Sequence, residues 1–186
     1  MLLRRDELLG RVGELGADIT KRLAGSGTLP LLVGVLKGST PFLADLIRAV
    51  STDVAVDFIS ISSYGQGGAH SGVVRIVKDL DEDVAGRDVI IVEAIVDTGL
   101  TLNYLRTALG QRNPRSLTAV ALLDKAARRI VPVPLELRGF EIPDVFVLGY
   151  GLDWQGLYRN LPDVYAVRDL ARLANDESLL VDAFTR

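Results

Sequence analysis

Residues that could bind and react lie close together in the stretch VIIVEAIVDTGLTL, residues 89–102. Glu93 interrupts an apolar run, and after that run come four residues suited to a ligand: Asp97, Thr98, Gly99 and Thr101. Glycine permits a tight turn that brings the backbone close to a ligand. Free N–H groups at the start of a helix bind phosphate, and threonine hydroxyls add donors. The stretch therefore predicts a phosphate-binding loop.

Two common phosphate motifs are excluded, and a simpler explanation stays open. The G-x-x-x-x-G-K-[ST] and G-x-G-x-x-G spacings are both absent from the chain. Asp97 could instead be an ordinary helix N-cap followed by a glycine turn, because aspartate is a favoured capping residue. Glu93 is harder to explain as structural, because a charge within an apolar strand is costly unless it is paired.

The elements that must position these residues alternate between helix and strand. Apolar spacing predicts an amphipathic helix over 5–24, and further helices over about 40–50, with Pro41 in the first turn and Ser39 or Thr40 as cap, and over about 100–111. Apolar runs predict strands over 29–36, 54–62, 73–80, 88–96, 116–123, 144–150 and 163–167. Continuous apolar strands between helices indicate a parallel sheet with helices on both faces. Ligands bind beyond the carboxyl ends of such strands, where Asp97 begins its loop.

Composition narrows the chemistry further. The 186 residues suit one domain over 1–186, with a helical tail over 169–186. Without cysteine and with one histidine, a disulfide, a thiolate zinc site and a multi-histidine site are impossible. Any divalent metal should therefore be a hard ion such as Mg²⁺, held by carboxylates and substrate oxygens. The net charge of -3 argues against a nucleic-acid binder. Charges near the N-terminus and the lack of a ~20-residue apolar run predict a cytoplasmic protein without a membrane segment.

Residues 88–102 resemble the binding signature for phosphoribosyl diphosphate (PRPP) of the type I phosphoribosyltransferases. Four other segments resemble the hypoxanthine-guanine members in the same order: LLVGVLKGSTPF, DFISISSYG, LLDKAARR and GFEIPDVFVLGYGLDWQGLYRNLPDVYAV. The resemblance covers roughly residues 28–168. It implies an α/β fold of the type I phosphoribosyltransferase kind, with a mostly parallel central sheet flanked by helices. A small hood is expected from the N- and C-terminal segments.

The resemblance implies transfer of a 5-phosphoribosyl group from Mg²⁺-bound PRPP to hypoxanthine or guanine, which gives IMP or GMP and pyrophosphate. It assigns the 5′-phosphate to Thr98, Gly99, Leu100 and Thr101, and the pyrophosphate to Lys37, Gly38 and Arg159. In the family the peptide bond before this lysine is often cis. Glu93 should contact the ribose hydroxyls or Mg²⁺, and Asp153 should help to order the metal.

The same resemblance assigns the purine side of the site. Asp97 should meet N7 of the base as proton acceptor or hydrogen-bond partner, in addition to its place in the PRPP motif. Lys125 should donate to the 6-oxo group, which would select against a 6-amino purine. Phe146 should stack on the ring, while Val147 and Asp153 contact it through the backbone. Tyr64, with Ser63, begins the glycine-rich loop 63–72 that closes over the site in the family; His70 in this loop is assigned no catalytic role.

Two positions depart from the family pattern. Ala94 stands where the family has aspartate, and alanine cannot accept the hydrogen bonds of a ribose. Such a loss typically costs ~1–3 kcal/mol, which predicts weaker PRPP binding or slower turnover. Val145 stands where relatives commonly have lysine.

Three hypotheses follow. The first is a purine-salvage enzyme. The second is a catalytically impaired regulatory protein on the same fold that binds PRPP or nucleotide, which Ala94 favours. The third is a phosphoribosyltransferase for xanthine or a pyrimidine. Relatives are usually dimers or tetramers, so a homodimer or homotetramer is expected.

Overall fold

The computed structural model describes residues 1–64, 73–167 and 169–175, and its main elements alternate as the sequence predicts. The helices are α1 (Arg5–Leu23), α2 (Thr40–Ala49), α3 (Leu100–Gly110) and α4 (Leu170–Asn175), with a single 3₁₀ turn at Ala126–Arg128. The strands are β1 (Leu31–Leu36), β2 (Ala55–Tyr64), β3 (Val73–Lys78), β4 (Asp88–Val96), β5 (Ser116–Asp124), β6 (Leu137–Glu141), β7 (Phe146–Leu148) and β8 (Tyr165–Val167).

Among the described residues a six-stranded sheet has the order β3-β2-β1-β4-β5-β6. Only β3 is antiparallel to its neighbour. The prediction of a mostly parallel α/β sheet is confirmed. The sequence analysis missed β6, whose sequence LRGFE carries two charges and a glycine. It is the outer strand beside β5, where polar side chains reach solvent.

Helices cover both faces of the sheet, as predicted. On one face α1 and α2 pack through Leu8, Leu15 and Phe42, all fully buried. On the other face α3 packs through Leu102 and Leu105. The strands between them are buried on both sides, which is why their sequences are continuously apolar rather than alternating.

The expected hood is present. It consists of the antiparallel β7–β8 ribbon and the N-terminal residues Leu2 and Leu3. The N–H of Leu2 donates to the carbonyl of Val164 at 2.7 Å, and the N–H of Val164 donates to Leu3 at 2.9 Å. Segments from both ends of the chain therefore meet above the sheet.

The start of α2 differs in part from its prediction. Pro41 does lie in the first turn of α2, but the Ser39 side chain does not cap the helix. Its hydroxyl donates back to the carbonyl of Val35 at 2.7 Å, which ties the end of β1 to the start of α2.

Of the predicted tail helix, α4 lies within the described residues and 176–186 lie outside them. No described helix is both long and apolar enough to cross a bilayer.

Candidate active site

A cavity of about 260 Å³ opens at the carboxyl edge of the sheet, beyond β1 and β4. Its walls include six residues that the sequence singled out: Gly38, Glu93, Asp97, Thr98, Gly99 and Thr101. Strand β4 contributes Glu93 and Ala94, the turn into α3 and its first residues contribute Asp97, Thr98, Gly99 and Thr101, and the β1–α2 turn contributes Gly38. The parallel pairing of β1 with β4 brings the two loops together, because both strands end at the same edge.

The turn between β4 and α3 depends on Gly99. Its φ is 86°, in the left-handed region that favours glycine. A Cβ at this position would lie 2.7 Å from the carbonyl oxygen of Val131, so space as well as conformation requires glycine. Gly99 is itself the N-cap of α3 and makes no side-chain cap. The alternative in which Asp97 caps this helix is therefore wrong.

The carboxylate of Asp97 faces two cations. Lys125 Nζ lies 3.5 Å from Oδ2, and Arg128 Nε lies 3.1 Å from Oδ1. Oδ1 is buried, yet within the described part of the chain it accepts no hydrogen bond of proper geometry. Asp97 thus pairs with two cations, and its Oδ1 keeps an acceptor for a further donor.

Glu93 has the most unusual environment of the carboxylates in the cavity. It is 8% exposed, and no described residue gives its carboxyl a hydrogen bond or an ion pair. Burial raises the pKa of Glu93 to about 8. The protonated form therefore predominates at neutral pH, and a bound cation or hydroxyl-rich ligand would supply the missing partner.

Ala94 lies beside Glu93 on the cavity wall and is 4% exposed. Its Cβ would be 3.4 Å from a Cβ at Gly38, so the two small residues bring β4 and the β1–α2 turn close together. The carboxylate that the family pattern has at this position would therefore point at the loop of Lys37 and Gly38. Val145, the other departure, packs against the core, and nothing in the structure explains its replacement of lysine.

The β1–α2 turn has the form that the family resemblance led us to expect. The peptide bond between Leu36 and Lys37 is cis. The Lys37 side chain is exposed and does not line the cavity, whereas Gly38 does. A Cβ at Gly151, where φ is 96°, would lie 2.1 Å from the carbonyl oxygen of Gly38. This close approach fixes the segment after β7 against the turn.

Three of the predicted purine residues, Phe146, Val147 and Asp153, lie on β7 and the segment that follows it. Phe146 is half-buried and packs edge-on against Trp154, with ring centroids 5.5 Å apart, while Val147 is buried. Arg159 Nη2 lies 2.7 Å from Asp153 Oδ1, and Arg159 Nη1 donates to the carbonyl of Gly151 at 2.7 Å. The cavity wall includes neither Phe146 nor Lys125, but Lys125 reaches it through Asp97.

The comparison of this chain with known families agrees with this geometry. The pattern of the phosphoribosyl transferase domain matches residues 2–155. The chain belongs to the phosphoribosyltransferase family. Two curated relatives show how near the likeness is. A hypoxanthine phosphoribosyltransferase of Salmonella typhimurium is 50% identical over 88% of this chain and 92% of its own. A hypoxanthine-guanine phosphoribosyltransferase of Bacillus subtilis is 47% identical over 87% of this chain and 89% of its own.

Solved structures of the family share the fold closely. A Staphylococcus aureus hypoxanthine phosphoribosyltransferase superposes with a TM-score of 0.85 at 41% identity and covers 90% of each chain. A Trypanosoma cruzi hypoxanthine phosphoribosyltransferase in complex with its product IMP also gives 0.85 at 41% identity, over 92% of this chain and 95% of its own. The type I phosphoribosyltransferase fold is thereby confirmed.

The donor set of this phosphoribosyltransferase fits a metal that is held mainly by its substrate. The described residues contain no group of three or more aspartate, glutamate or histidine side chains that could enclose an ion. Glu93 lines the cavity without a partner, whereas the Asp153 carboxylate already holds Arg159 and accepts from the N–H of Gly156 at 2.7 Å. Mg²⁺ characteristically keeps waters and substrate oxygens and takes only one or two protein carboxylates.

Several residues of the site were missed by sequence analysis, and one prediction lies outside the described part. The sequence analysis did not single out Arg128, Arg129 or Trp154, because their residue types and spacing are equally typical of surface charges or core packing. Their only signal is adjacency to Lys125 and Asp153. Tyr64 ends β2, but its side chain is outside the described residues, as is the loop that contains His70.

Proposed function

We propose that the protein transfers the 5-phosphoribosyl group of PRPP to N9 of hypoxanthine or guanine, with release of pyrophosphate and formation of IMP or GMP. The observation that carries this proposal is the contact between Lys125 and Asp97 at the mouth of the phosphate loop. A 6-oxopurine carries the 6-oxo acceptor and N7 on one edge, so a donor from Lys125 and an acceptor from Asp97 would match that edge when N7 holds a proton. Relatives that are 47–50% identical bear the names of such enzymes.

In this proposal the protein mainly binds, orients and neutralises. The N–H groups and hydroxyls of Thr98, Gly99, Leu100 and Thr101 hold the 5′-phosphate. Asp97 accepts a hydrogen bond or proton from the purine, Lys125 donates to its 6-oxo group and Phe146 stacks on it. Val147 and Asp153 contact the base edge through the backbone. Fixing both reactants in one cavity supplies the orientation on which the rate depends.

Pyrophosphate and metal complete the site. Lys37, the Gly38 backbone and Arg159 neutralise the leaving pyrophosphate. Glu93 and Asp153 would hold Mg²⁺, partly through PRPP and water, and the bound ion would offset the charge of the pyrophosphate. We further propose that Tyr64 belongs to the loop that excludes water during transfer.

A regulatory binding protein is the weaker candidate. Ala94 favours it, but the relatives described above bear the names of enzymes, and the residues that we assign to base and phosphate are present.

We propose one catalytic domain over 1–186 and a cytoplasmic location, where PRPP and nucleotides are made. We also propose a homodimer or homotetramer without nucleic-acid or membrane partners.

The test is steady-state nucleotide formation with Mg²⁺ and hypoxanthine or guanine at low and very high PRPP. Adenine serves as the negative control, since its 6-amino group presents donors to Lys125. Formation of IMP or GMP supports the salvage enzyme. A high KM for PRPP would indicate that Ala94 weakens PRPP binding. If no product forms at any PRPP concentration although PRPP or IMP binds tightly, the regulatory protein is favoured over the enzyme. Trp154, the chain's sole tryptophan, gives a fluorescence signal for IMP binding beside Phe146.

A further inference from the structure

We infer that Arg129 is a positioning residue that holds the phosphate loop in its binding shape, through the pair that it makes with Asp124. This inference rests on the proposed function for its ligand, PRPP. Among the described residues, Arg129 makes no hydrogen bond or ion pair to the side chains of Asp97, Lys125 or Phe146, which are assigned to the base. Its side chain contacts the main chain of the loop at Asp97 and the carboxylate of Asp124.

The Arg129 guanidinium joins two parts of the site. It is 18% exposed and forms an ion pair with Asp124, whose side chain is 5% exposed at the end of β5. Its Nη1 also donates to the main-chain carbonyl of Asp97 at 3.3 Å. One side chain therefore connects a strand end that cannot move easily to the first residue of the phosphate loop.

The residues after Arg129 hold the next carbonyl of the loop. The N–H groups of Ile130 and Val131 both donate to Thr98, at 2.9 and 3.2 Å. The Arg129 side chain itself lies under Gly99, where an added Cβ would be 2.8 Å from Cδ of the arginine. The carbonyls of Asp97 and Thr98 are thus held on this side. Of the N–H groups that follow, that of Leu100 makes a long contact of 3.5 Å to the Thr98 hydroxyl, which a phosphate would replace.

Asp124 is well fixed for this purpose. It is paired with Val96 in the β4–β5 ladder, and its second oxygen lies 3.4 Å from Nη1 of Arg138. Buried ion pairs often add little stability compared with apolar residues of the same volume. Two arginines on one buried carboxylate are therefore better explained by the need for a defined position than by stability alone.

The matched control is the pair between Arg106 of α3 and Glu136, the residue just before β6. Arg106 is likewise 18% exposed, and its guanidinium holds Glu136 at 2.9 Å. It makes no contact with the loop of residues 97–101. Arg106→Met therefore removes an equally buried arginine without touching the phosphate site.

The experiment compares Arg129→Met, Arg129→Lys and Arg106→Met by KM for PRPP, KM for hypoxanthine, kcat and the Tm increase caused by PRPP. For Arg129→Met we expect a KM for PRPP raised between about ten- and a hundredfold, a small change in the other constants, and a smaller Tm increase. Arg129→Lys, which keeps a charge beside Asp124 but has one nitrogen, should be intermediate and decides the matter if the methionine variant does not fold. Arg106→Met should match the wild type.

The inference fails if folded Arg129 variants bind PRPP as the wild type does, or if both KM values rise equally. The Tm measurement needs no turnover, so it tests Arg129 even in a protein without activity. Wild-type protein that binds PRPP but forms no nucleotide would contradict the proposed function alone.

Discussion

Lys125 Nζ lies 3.5 Å from Oδ2 of Asp97, and the lysine side chain is only 6% exposed. The two residues directly follow the last residues of neighbouring parallel strands, β5 and β4, so the sheet itself sets their separation. A buried ammonium needs an anion nearby, and Asp97 provides it. The pair is therefore present before any ligand binds, and a purine has only to fit between its donor and its acceptor.

Replacement of Lys125 by methionine should abolish most 6-oxopurine turnover, because the base loses its donor and Asp97 loses its buried partner. We expect kcat/KM for hypoxanthine to fall by roughly a hundredfold or more, measured from initial rates. Lys21→Met, which removes an exposed lysine from α1, is the control and should change nothing. A Lys125→Met enzyme with wild-type kcat/KM would contradict the assignment of the 6-oxo contact.

Gly99→Ala should weaken PRPP binding strongly. A side chain there combines a φ of 86° with contacts of 2.7 Å to Val131 and 2.8 Å to Arg129. Gly86→Ala separates the two effects, since φ is 70° but nothing lies within 4 Å of the added Cβ. Strain alone costs about 1 kcal/mol, so Gly86→Ala should lower Tm by a few degrees and leave the KM for PRPP unchanged. Equal kinetic effects of the two variants would show that crowding at the loop is unimportant.

The sheet could be predicted because its central strands are buried on both faces and so are continuously apolar. Elements with one exposed face have less continuously apolar sequences, so their positions were predicted less well. Strand β6 carries Arg138 and Glu141 and was missed, and β7 and β8 proved shorter than their apolar runs. Val164, in the run predicted for β8, pairs instead with Leu3, a long-range contact that no local pattern in the chain expresses.

The site could be predicted only where one segment carried all of its parts, as the loop from Asp97 to Thr101 does. Arg129 serves the same loop from 28 or more residues away in the chain. Its partner Asp124 and its acceptor, a backbone carbonyl, are set by the β4–β5 register. A sequence pattern does not distinguish this arginine from Arg128 beside it, which is far more exposed.

Ala94→Asp should raise kcat/KM for PRPP, because the carboxylate restores an acceptor for ribose hydroxyls on the cavity wall. One such hydrogen bond is worth ~1–3 kcal/mol when its donor would otherwise be buried alone, or roughly a tenfold effect or more. Ala94→Asn has nearly the same size without the charge and should recover less. The closeness of Ala94 to Gly38 is the opposing factor. An unchanged or lower kcat/KM in the aspartate variant would show that crowding there outweighs the contact.

Glu93→Gln should change how the stability of the ligand-free protein depends on pH. Burial raises the pKa of Glu93 from 4.5 to about 8, so between these values the folded protein keeps a proton that the unfolded chain releases. The free energy of unfolding therefore falls as pH rises through this range, by up to ~1.4 kcal/mol per pH unit, and levels off above about pH 8. Glutamine has no such proton, so denaturant titrations at several pH values should show a flatter curve for Glu93→Gln. Glu14→Gln, at an exposed position on α1, should keep the wild-type slope; identical slopes for all three proteins would show that Glu93 is ionised in the folded state.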